Sequence, residues 1–372
     1  MRIVIFCHSL ISDWNHGNAH FLRGIAAELI ARGHLADVYE PYDSWSLRNL
    51  LAEYGSGPME QFSREFPQLR STRYDAGAID LERELDNADI VIVHEWNTAE
   101  LVRRIGQHRA RTKGMIALFH DTHHRAVSDP HSIPRHDLRD YDGVLAFGES
   151  LRSIYLKNGW ADNVFVWHEA ADIRTFRPYP EIDRSRDLVW IGNWGDDERS
   201  NEIREFILLN AQELALRTTV YGVRYPDEAV SELKACGVEY RGWLPNHQVP
   251  RIFASFRTTV HVPRRAYAEE LHGIPTIRVF EALACGIPLI CTRWDDTEAL
   301  FGPEDFVTAK DPADLRRKLK MVLNDRAMAD EMAERGRQTI LARHTCSHRV
   351  DELLGICSTI AGSAAVNEAG II

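Results

Sequence analysis

One pattern recurs along the chain: a short, unbroken apolar run ends in a polar residue or glycine and is followed by a helical stretch. In the first half the runs are Arg2–Cys7, Leu35–Tyr42, Ala88–His94 (ADIVIVH), Met115–Phe119, Tyr141–Gly148 and Val164–Trp167. The second half has Asp187–Ile191 (DLVWI), Thr218–Tyr221 and Thr258–Val262. Runs of this kind suit strands buried on both faces, the condition of parallel sheets covered by helices. Between them, segments such as Phe21–Arg32 and Thr98–Gln107 have helical periodicity. The pattern predicts an α/β fold of doubly wound, Rossmann-like parallel sheets. At 372 residues the chain exceeds one ordinary core, so two domains are expected.

The densest chemistry lies in His272–Ile290, HGIPTIRVFEALACGIPLI, which reads as loop, short helix and buried strand. Thr276 stands at the helix start, where backbone N–H groups favour an anion. Thr276 and Ile277 open that turn, and Arg278 offers a fork that fits a diphosphate. Glu281 lies three residues further on, on the same helical face, with a carboxylate that can accept from the two hydroxyls of a ribose.

The whole-chain balance narrows the partners. Lys plus Arg number 44 against 55 Asp plus Glu, a net charge of −11, so general binding of nucleic acid is disfavoured and phosphate must meet a local cluster. The six cysteines form no CxxC pair and sit mostly in apolar runs, as reduced core thiols of a cytoplasmic protein do. No apolar run approaches the ~20 residues of a membrane span, which leaves peripheral contact with a membrane open.

Polar residues just past strand ends mark ligand sites in open α/β sheets. By that rule Glu95, which follows ADIVIVH, is a candidate; a polar loop holding Gly17 and Asn18 follows the first strand. The loop also reads simply as solvated. No GxGxxG is present, so a dinucleotide site of the usual kind is not expected. The cluster His120, Asp121, His123, His124 and Arg125 admits a sugar site, a loop of surface histidines, or a metal site. Adjacent His123 and His124 cannot both face one metal from a regular element.

The segment Phe280–Ile290, FEALACGIPLI, resembles the nucleotide-sugar motif of GT-B glycosyltransferases, in particular glycosyltransferase family 4 and the spore-maturation CgeB-type enzymes. The resemblance implies two Rossmann-like domains facing across a cleft, with a C-terminal helix crossing back to the first. Boundaries follow: an acceptor-side domain 1–177 joined by the helix 345–372, and a donor domain 187–344, with Pro178–Arg186 as linker. Glu281 is then the ribose carboxylate. Gly192 and Asn193 lie near the donor diphosphate, with Arg199 as its neutralising cation. Arg264 and Arg265 either reach it from a second side or form a solvated pair. His120 would lie beside the transferred sugar, with Asp121, Glu95, Gly17 and Asn18 on the sugar or acceptor side. His120 and Arg278 are the catalytic candidates.

Where family 4 carries a second glutamate this chain has Gly273, and Glu269 or Glu270 are the nearby carboxylates. The expected reaction is metal-independent transfer, with retention of configuration, from a UDP- or GDP-type sugar to a glycan, lipid, protein or metabolite, with no separate cofactor. The alternatives are a nucleotide-sugar epimerase using His120, Glu149 and Glu169, and a non-catalytic nucleotide-sugar binder. A metallohydrolase built on the histidine cluster is a third.

Overall fold

In a computed structural model, which describes residues 1–369, each of the apolar runs becomes a strand. Two units result: Met1–His168 together with the C-terminal helix Cys346–Ala369, and Glu169–Thr345. Residues 370–372 of the expected final helix lie outside the described residues.

The first unit holds strands β1 (Arg2–Phe6), β2 (Leu35–Pro41), β3 (Ser71–Tyr74), β4 (Ile90–His94), β5 (Ile116–Asp121), β6 (Gly143–Ala146) and β7 (Val164–Val166). They form one sheet in the order β3-β2-β1-β4-β5-β6-β7, parallel at every pairing. All five residues of β4 are buried, as a strand covered on both faces requires. The helix Ala99–Arg111 begins directly after it, where Thr98 Oγ1 accepts from Leu101 N at 3.3 Å.

The second unit holds β8 (Arg186–Ile191), β9 (Thr218–Tyr221), β10 (Glu239–Tyr240), β11 (Phe256–His261), β12 (Leu289–Thr292) and β13 (Val307–Ala309). Their order is β10-β9-β8-β11-β12-β13, again parallel. In each sheet the strand order reverses beside the first strand, between β1 and β4 and between β8 and β11. Those two switch points open the crevices where such sheets bind ligands.

Three boundaries differ from expectation. The division falls at His168/Glu169, ahead of Pro178–Arg186. That stretch is packed on the second unit instead: Arg184 pairs with Asp330 and donates to Gly286 O at 3.1 Å. β5 runs two residues past Phe119, because His120 pairs with Leu145 and Asp121 with Ala146 on β6. Asp43–Ser71, read as irregular or helical, contains the helices Trp45–Tyr54 and Gly57–Glu65.

The C-terminal helix is tied to the first unit at its start. Trp167 Nε1 donates to Arg349 O at 2.8 Å, and Arg349 Nε returns to His168 O at 2.9 Å. No helix among the described residues is long and apolar enough to cross a membrane.

Candidate functional site

In the second unit, the turn after β8 is fastened by close backbone packing. Gly192 N donates to Tyr221 O at 2.8 Å and Gly222 N to Gly242 O at 2.7 Å. A Cβ on Gly222 would lie 1.9 Å from Gly192 O, so only glycine fits there.

Arg199 reaches this turn, but as a brace. Its Nη2 donates to Asn193 O at 2.9 Å and Asn193 Oδ1 at 2.6 Å, and Nη1 to Val262 O at 3.2 Å. The guanidinium therefore joins the ends of β8 and β11, and the expectation of Arg199 as a phosphate neutraliser gives way to this role. Burial first, then the charges of Arg264 and Arg278, pull its pKa down to about 9. Arg199 and Arg264 both reach Asn193 Oδ1, at 2.6 and 3.4 Å, and the Arg278 charge acts on Arg199 as well.

Arg264 pairs with Glu198, and its Nη2 stands 3.4 Å from Asn193 Oδ1. The sequence leaves Arg264 and Arg265 open as a second phosphate contact or a solvated pair; in the structure each has its own acidic partner, Glu198 and Glu202. Arg265 is drawn aside, its Nε 3.0 Å from Glu202 Oε1 and its Nη2 donating to Asp197 O, so it does not join the cluster.

The helix Ile277–Cys285 carries the remaining groups. It ends in a left-handed Gly286 (φ 64), with Gly286 N donating to Leu283 O and Ile287 N to Ala282 O, the paired bonds of a Schellman turn. Thr276 precedes its first turn without capping it by the side chain. Its hydroxyl instead meets His261 Nε2 at 3.0 Å. His261, the last residue of β11, is the site residue the sequence reading missed, because a single histidine closing an apolar run carries no spacing signal. Burial, with Arg199 and Arg278 nearby, holds its pKa down to about 3, so the ring is neutral.

Arg278 and Glu281, expected to serve different parts of one ligand, form an ion pair with each other one turn apart. Glu281 is fully buried and Arg278 retains 17% of its side-chain exposure, so the carboxylate orients the cation toward the open side. Gly273 stands in the left-handed region (φ +85), and a Cβ there would approach Thr297 Oγ1 to 2.2 Å. The position has no room for the family glutamate. Glu269 and Glu270 are exposed at the end of the helix Arg265–Glu269. Gly273→Glu should therefore lower the thermal stability, by about 1–2 kcal/mol from backbone strain alone, without raising activity. A gain in activity at unchanged stability would contradict this.

In the first unit, the loop after β1 is held from two sides. Glu40 Oε2 accepts from Ser9 Oγ at 2.6 Å and Leu10 N at 2.9 Å. Arg23 donates to Leu10 O, Ile11 O and Asp13. Gly17 is exposed. Asn18 is buried, its Nδ2 donating to Thr122 Oγ1 at 2.6 Å and lying 3.4 Å from His94 Nε2. Thr122 Oγ1 in turn lies 3.3 Å from Glu95 Oε1, and His94 Nδ1 lies 2.8 Å from Glu95 Oε2. Asn18, Thr122, His94 and Glu95 thus form one buried polar group at the β1/β4 switch point.

The histidine cluster divides instead of converging. His120 is fully buried in β5, its ring 4.8 Å from that of Trp167, 5.2 Å from His94 and 6.0 Å from Phe21. His120, expected beside the transferred sugar or else in a loop of surface histidines, is enclosed because it lies inside the strand, so the surface-loop alternative does not hold for it. Asp121 accepts from Tyr155 Oη at 2.6 Å and His123 N at 3.0 Å. His124 Nδ1 meets Ser128 Oγ at 2.9 Å. Among the described residues no group of three or more His, Cys, Asp and Glu is placed to hold a metal. Of the epimerase residues, Glu149 pairs on the surface with Arg152 at 2.8 Å. Glu169 belongs to the second unit and His120 to the first.

Burial raises the Glu95 carboxyl to about 8 and that of Asp121 to about 7. Both stay protonated in the folded chain where the unfolded chain ionises, so their contribution to stability falls as pH rises from the ordinary carboxyl range to about 8. His94, held down to about 3 by burial and Arg125, acts oppositely, adding stability as pH rises to 6.5. Above pH 6.5 the carboxyl effect is left, so stability should decline between pH 6.5 and 8, and decline less in Glu95→Gln. Urea unfolding of both proteins at about pH 6.5 and about pH 8.5 checks this; parallel pH dependence would refute the assignment.

A family model described as glycosyl transferase-like matches residues 199–355, the span that contains Arg199, Arg264, Thr276, Arg278 and Glu281. An alpha-glucosyltransferase in complex with UDP and a 13-mer DNA aligns with TM-score 0.69 at 14% identity, over 96% of this chain and 99% of that chain. The TarM protein of S. aureus, in complex with fondaparinux, alpha-GlcNAc-glycerol and UDP, aligns at 0.68 and 10% identity, over 96% and 99%. Sucrose-phosphate synthase from Thermosynechococcus elongatus aligns at 0.65 and 13% identity over the whole of both chains. No curated protein sequence matches the chain. Likeness at these identities establishes the fold, two parallel Rossmann-like sheets as in the GT-B glycosyltransferases, in agreement with the expected α/β class.

Proposed function

We propose that this chain is a glycosyltransferase that moves a sugar from a nucleoside diphosphate donor, held by the second unit, to an acceptor held by the first. The observation that carries this reading is the convergence of Arg199, Arg264 and Arg278 around the neutral His261–Thr276 pair at the β8/β11 switch point. Two carboxylates, Glu198 and Glu281, are paired within that group, which leaves an excess of positive charge. A diphosphate fits that excess, and the start of the helix Ile277–Cys285 adds N–H dipoles.

In this reading Arg199 holds the turn of Gly192 and Asn193 in shape. Arg278 and Arg264 face the phosphates and stabilise the charge that develops as the diphosphate departs. Glu281 aims Arg278 and accepts from the ribose. In the first unit Asn18 and Thr122 orient the sugar or acceptor, while His120 positions them through its packing on His94. The transfer is metal-independent and, following the resemblance to family 4 and CgeB-type enzymes, proceeds with retention. UDP is the favoured donor nucleotide, since two of the similar structures contain it. Nucleic acid is not an acceptor we propose, in view of the −11 charge.

A thermal-shift titration with UDP, GDP, TDP, ADP and CDP, with and without EDTA, tests the donor half. At about a hundred times its Kd, the correct diphosphate should stabilise the fold by about 2.7 kcal/mol, unaffected by EDTA. No response to any of them, or a response abolished by EDTA, would overturn the reading. Loss of the sugar from the matching nucleotide sugar, followed by release of the diphosphate, then tests turnover.

A further inference from the structure

The turn after β5 carries a cation that the donor reading does not use. Arg125 lies half-buried with its Cζ 3.9 Å above the Trp96 ring, and its Nη1 donates to Glu95 O at 3.2 Å. No carboxylate lies within ion-pair distance of it among the described residues. Nearly every other arginine close to a binding crevice in this chain has an acidic partner: Arg23 has Asp13, Arg264 has Glu198 and Arg278 has Glu281.

The groups around Arg125 do not supply the missing charge. Burial holds His8 and His94 neutral, each down to about 3, and Arg125 itself contributes to both shifts. Burial also keeps the Glu95 carboxyl protonated up to about 8. Near neutral pH the guanidinium is then a fixed charge among mostly neutral polar groups; the Asp121 carboxyl, raised to about 7 by burial, is partly ionised but makes no ion pair with it. Joined to it through Trp96 and His8 on one side, and through Glu95 and Thr122 on the other, are polar atoms nine-tenths or more buried with no hydrogen-bond partner among the described residues, His16 Nε2 and Asn18 Oδ1. A half-buried cation and unsatisfied polar atoms in one place are costly unless a ligand completes them.

We propose that Arg125, seated on Trp96, is the recognition point for an anionic group, phosphate or carboxylate, on the acceptor substrate. The inference rests on the glycosyltransferase reading for the word acceptor, and on the first unit alone for the anion. The stacked guanidinium presents its N–H edge while Trp96 covers its face, an arrangement that favours a planar or tetrahedral oxyanion over a neutral hydroxyl. A neutral polar surround strengthens such a contact because it does not compete for the cation.

The test separates this from the donor site. UDP binding is first measured by thermal shift in the wild type, Arg125→Gln and Arg125→Lys, and equal shifts show that the second unit is intact. With UDP saturating, tryptophan fluorescence is titrated with glucose 6-phosphate, glucuronate and glucose as probes. The expected result is a preference of about tenfold or more for one anionic probe over glucose, lost in Arg125→Gln and largely kept in Arg125→Lys. Preference for the phosphate or for the carboxylate names the group. Equal affinity for all three probes, no binding of any, or a preference that Arg125→Gln leaves intact would overturn the proposal. If UDP gives no shift, the donor reading fails by itself, and the same titration without UDP still judges Arg125 by its dependence on that residue.

Discussion

Replacing Glu281 with alanine is expected to weaken nucleoside diphosphate binding by about 1.5–3 kcal/mol, a rise in Kd of roughly 10- to 150-fold. Two losses add. Glu281 is fully buried and paired with Arg278, so in the proposed donor site its removal takes away the ribose acceptor and releases the arginine assigned to the phosphates. The comparison that separates them is Arg278→Ala. That variant should bind a bare nucleoside about as well as the wild type and lose affinity for the diphosphate. Glu281→Ala should lose affinity for both. Isothermal titration of the four combinations measures this, and a Glu281→Ala protein with unchanged nucleoside affinity would remove Glu281 from the ribose. A shared loss in the two variants, for both ligands, would instead mean that the ion pair only supports the helix.

Arg23→Ala should be the most damaging change to the fold of the first unit, by about 3–5 kcal/mol. Arg23 and Asp13 are each only 4% exposed at their side chains and stand 2.8 Å apart. The guanidinium also donates to Leu10 O and Ile11 O, and lies 5.1 and 5.2 Å from the Phe62 and Phe66 rings. Removing it takes a charged donor away from a buried carboxylate and from two carbonyls. The loop that carries Asn18 would loosen with them. Because two units rule out a single two-state transition, hydrogen exchange of the β1 and β4 amides is the suitable measurement. Protection changed by less than about 1 kcal/mol would show that the pair is dispensable. The double variant Asp13→Ala/Arg23→Ala should recover part of the loss, since no lone charge is then buried.

Much of the architecture was legible because its signals are local. An unbroken run such as ADIVIVH can satisfy its apolar side chains only between two covering layers, and it became β4, buried throughout. FEALACGIPLI announced a helix, a glycine stop and a strand, and became Ile277–Cys285, Gly286 and β12. Of the polar residues that follow strands, Glu95 and Asn18 meet through Thr122 in one buried group. His120 reads as a loop residue because the apolar run ends at Phe119, two residues before the strand does. Its backbone pairs with Leu145, which sequence spacing does not reveal, and a paired strand residue in a covered sheet is buried.

Residue types near the site were therefore easier to foresee than their partners. Arg199, Arg265 and Arg278 are chemically alike in the sequence, yet one braces two strand ends, one pairs outward with Glu202, and one faces the open side. Which of these an arginine does depends on the carbonyl or carboxylate that lies within about 3 Å of it.

The sequence by itself determined the two parallel α/β units and the helix that carries Thr276, Arg278 and Glu281, because burial and backbone hydrogen bonding act at fixed short spacings along the chain. Only the tertiary structure decided that β11 lies beside β8, which brings His261 to Thr276 and Arg199 to Val262, and that Arg125 has no ion-pair partner among the described residues. Those outcomes depend on the order in which strands join a sheet, and that order is set by the packing of the whole unit, with no local pattern to record it.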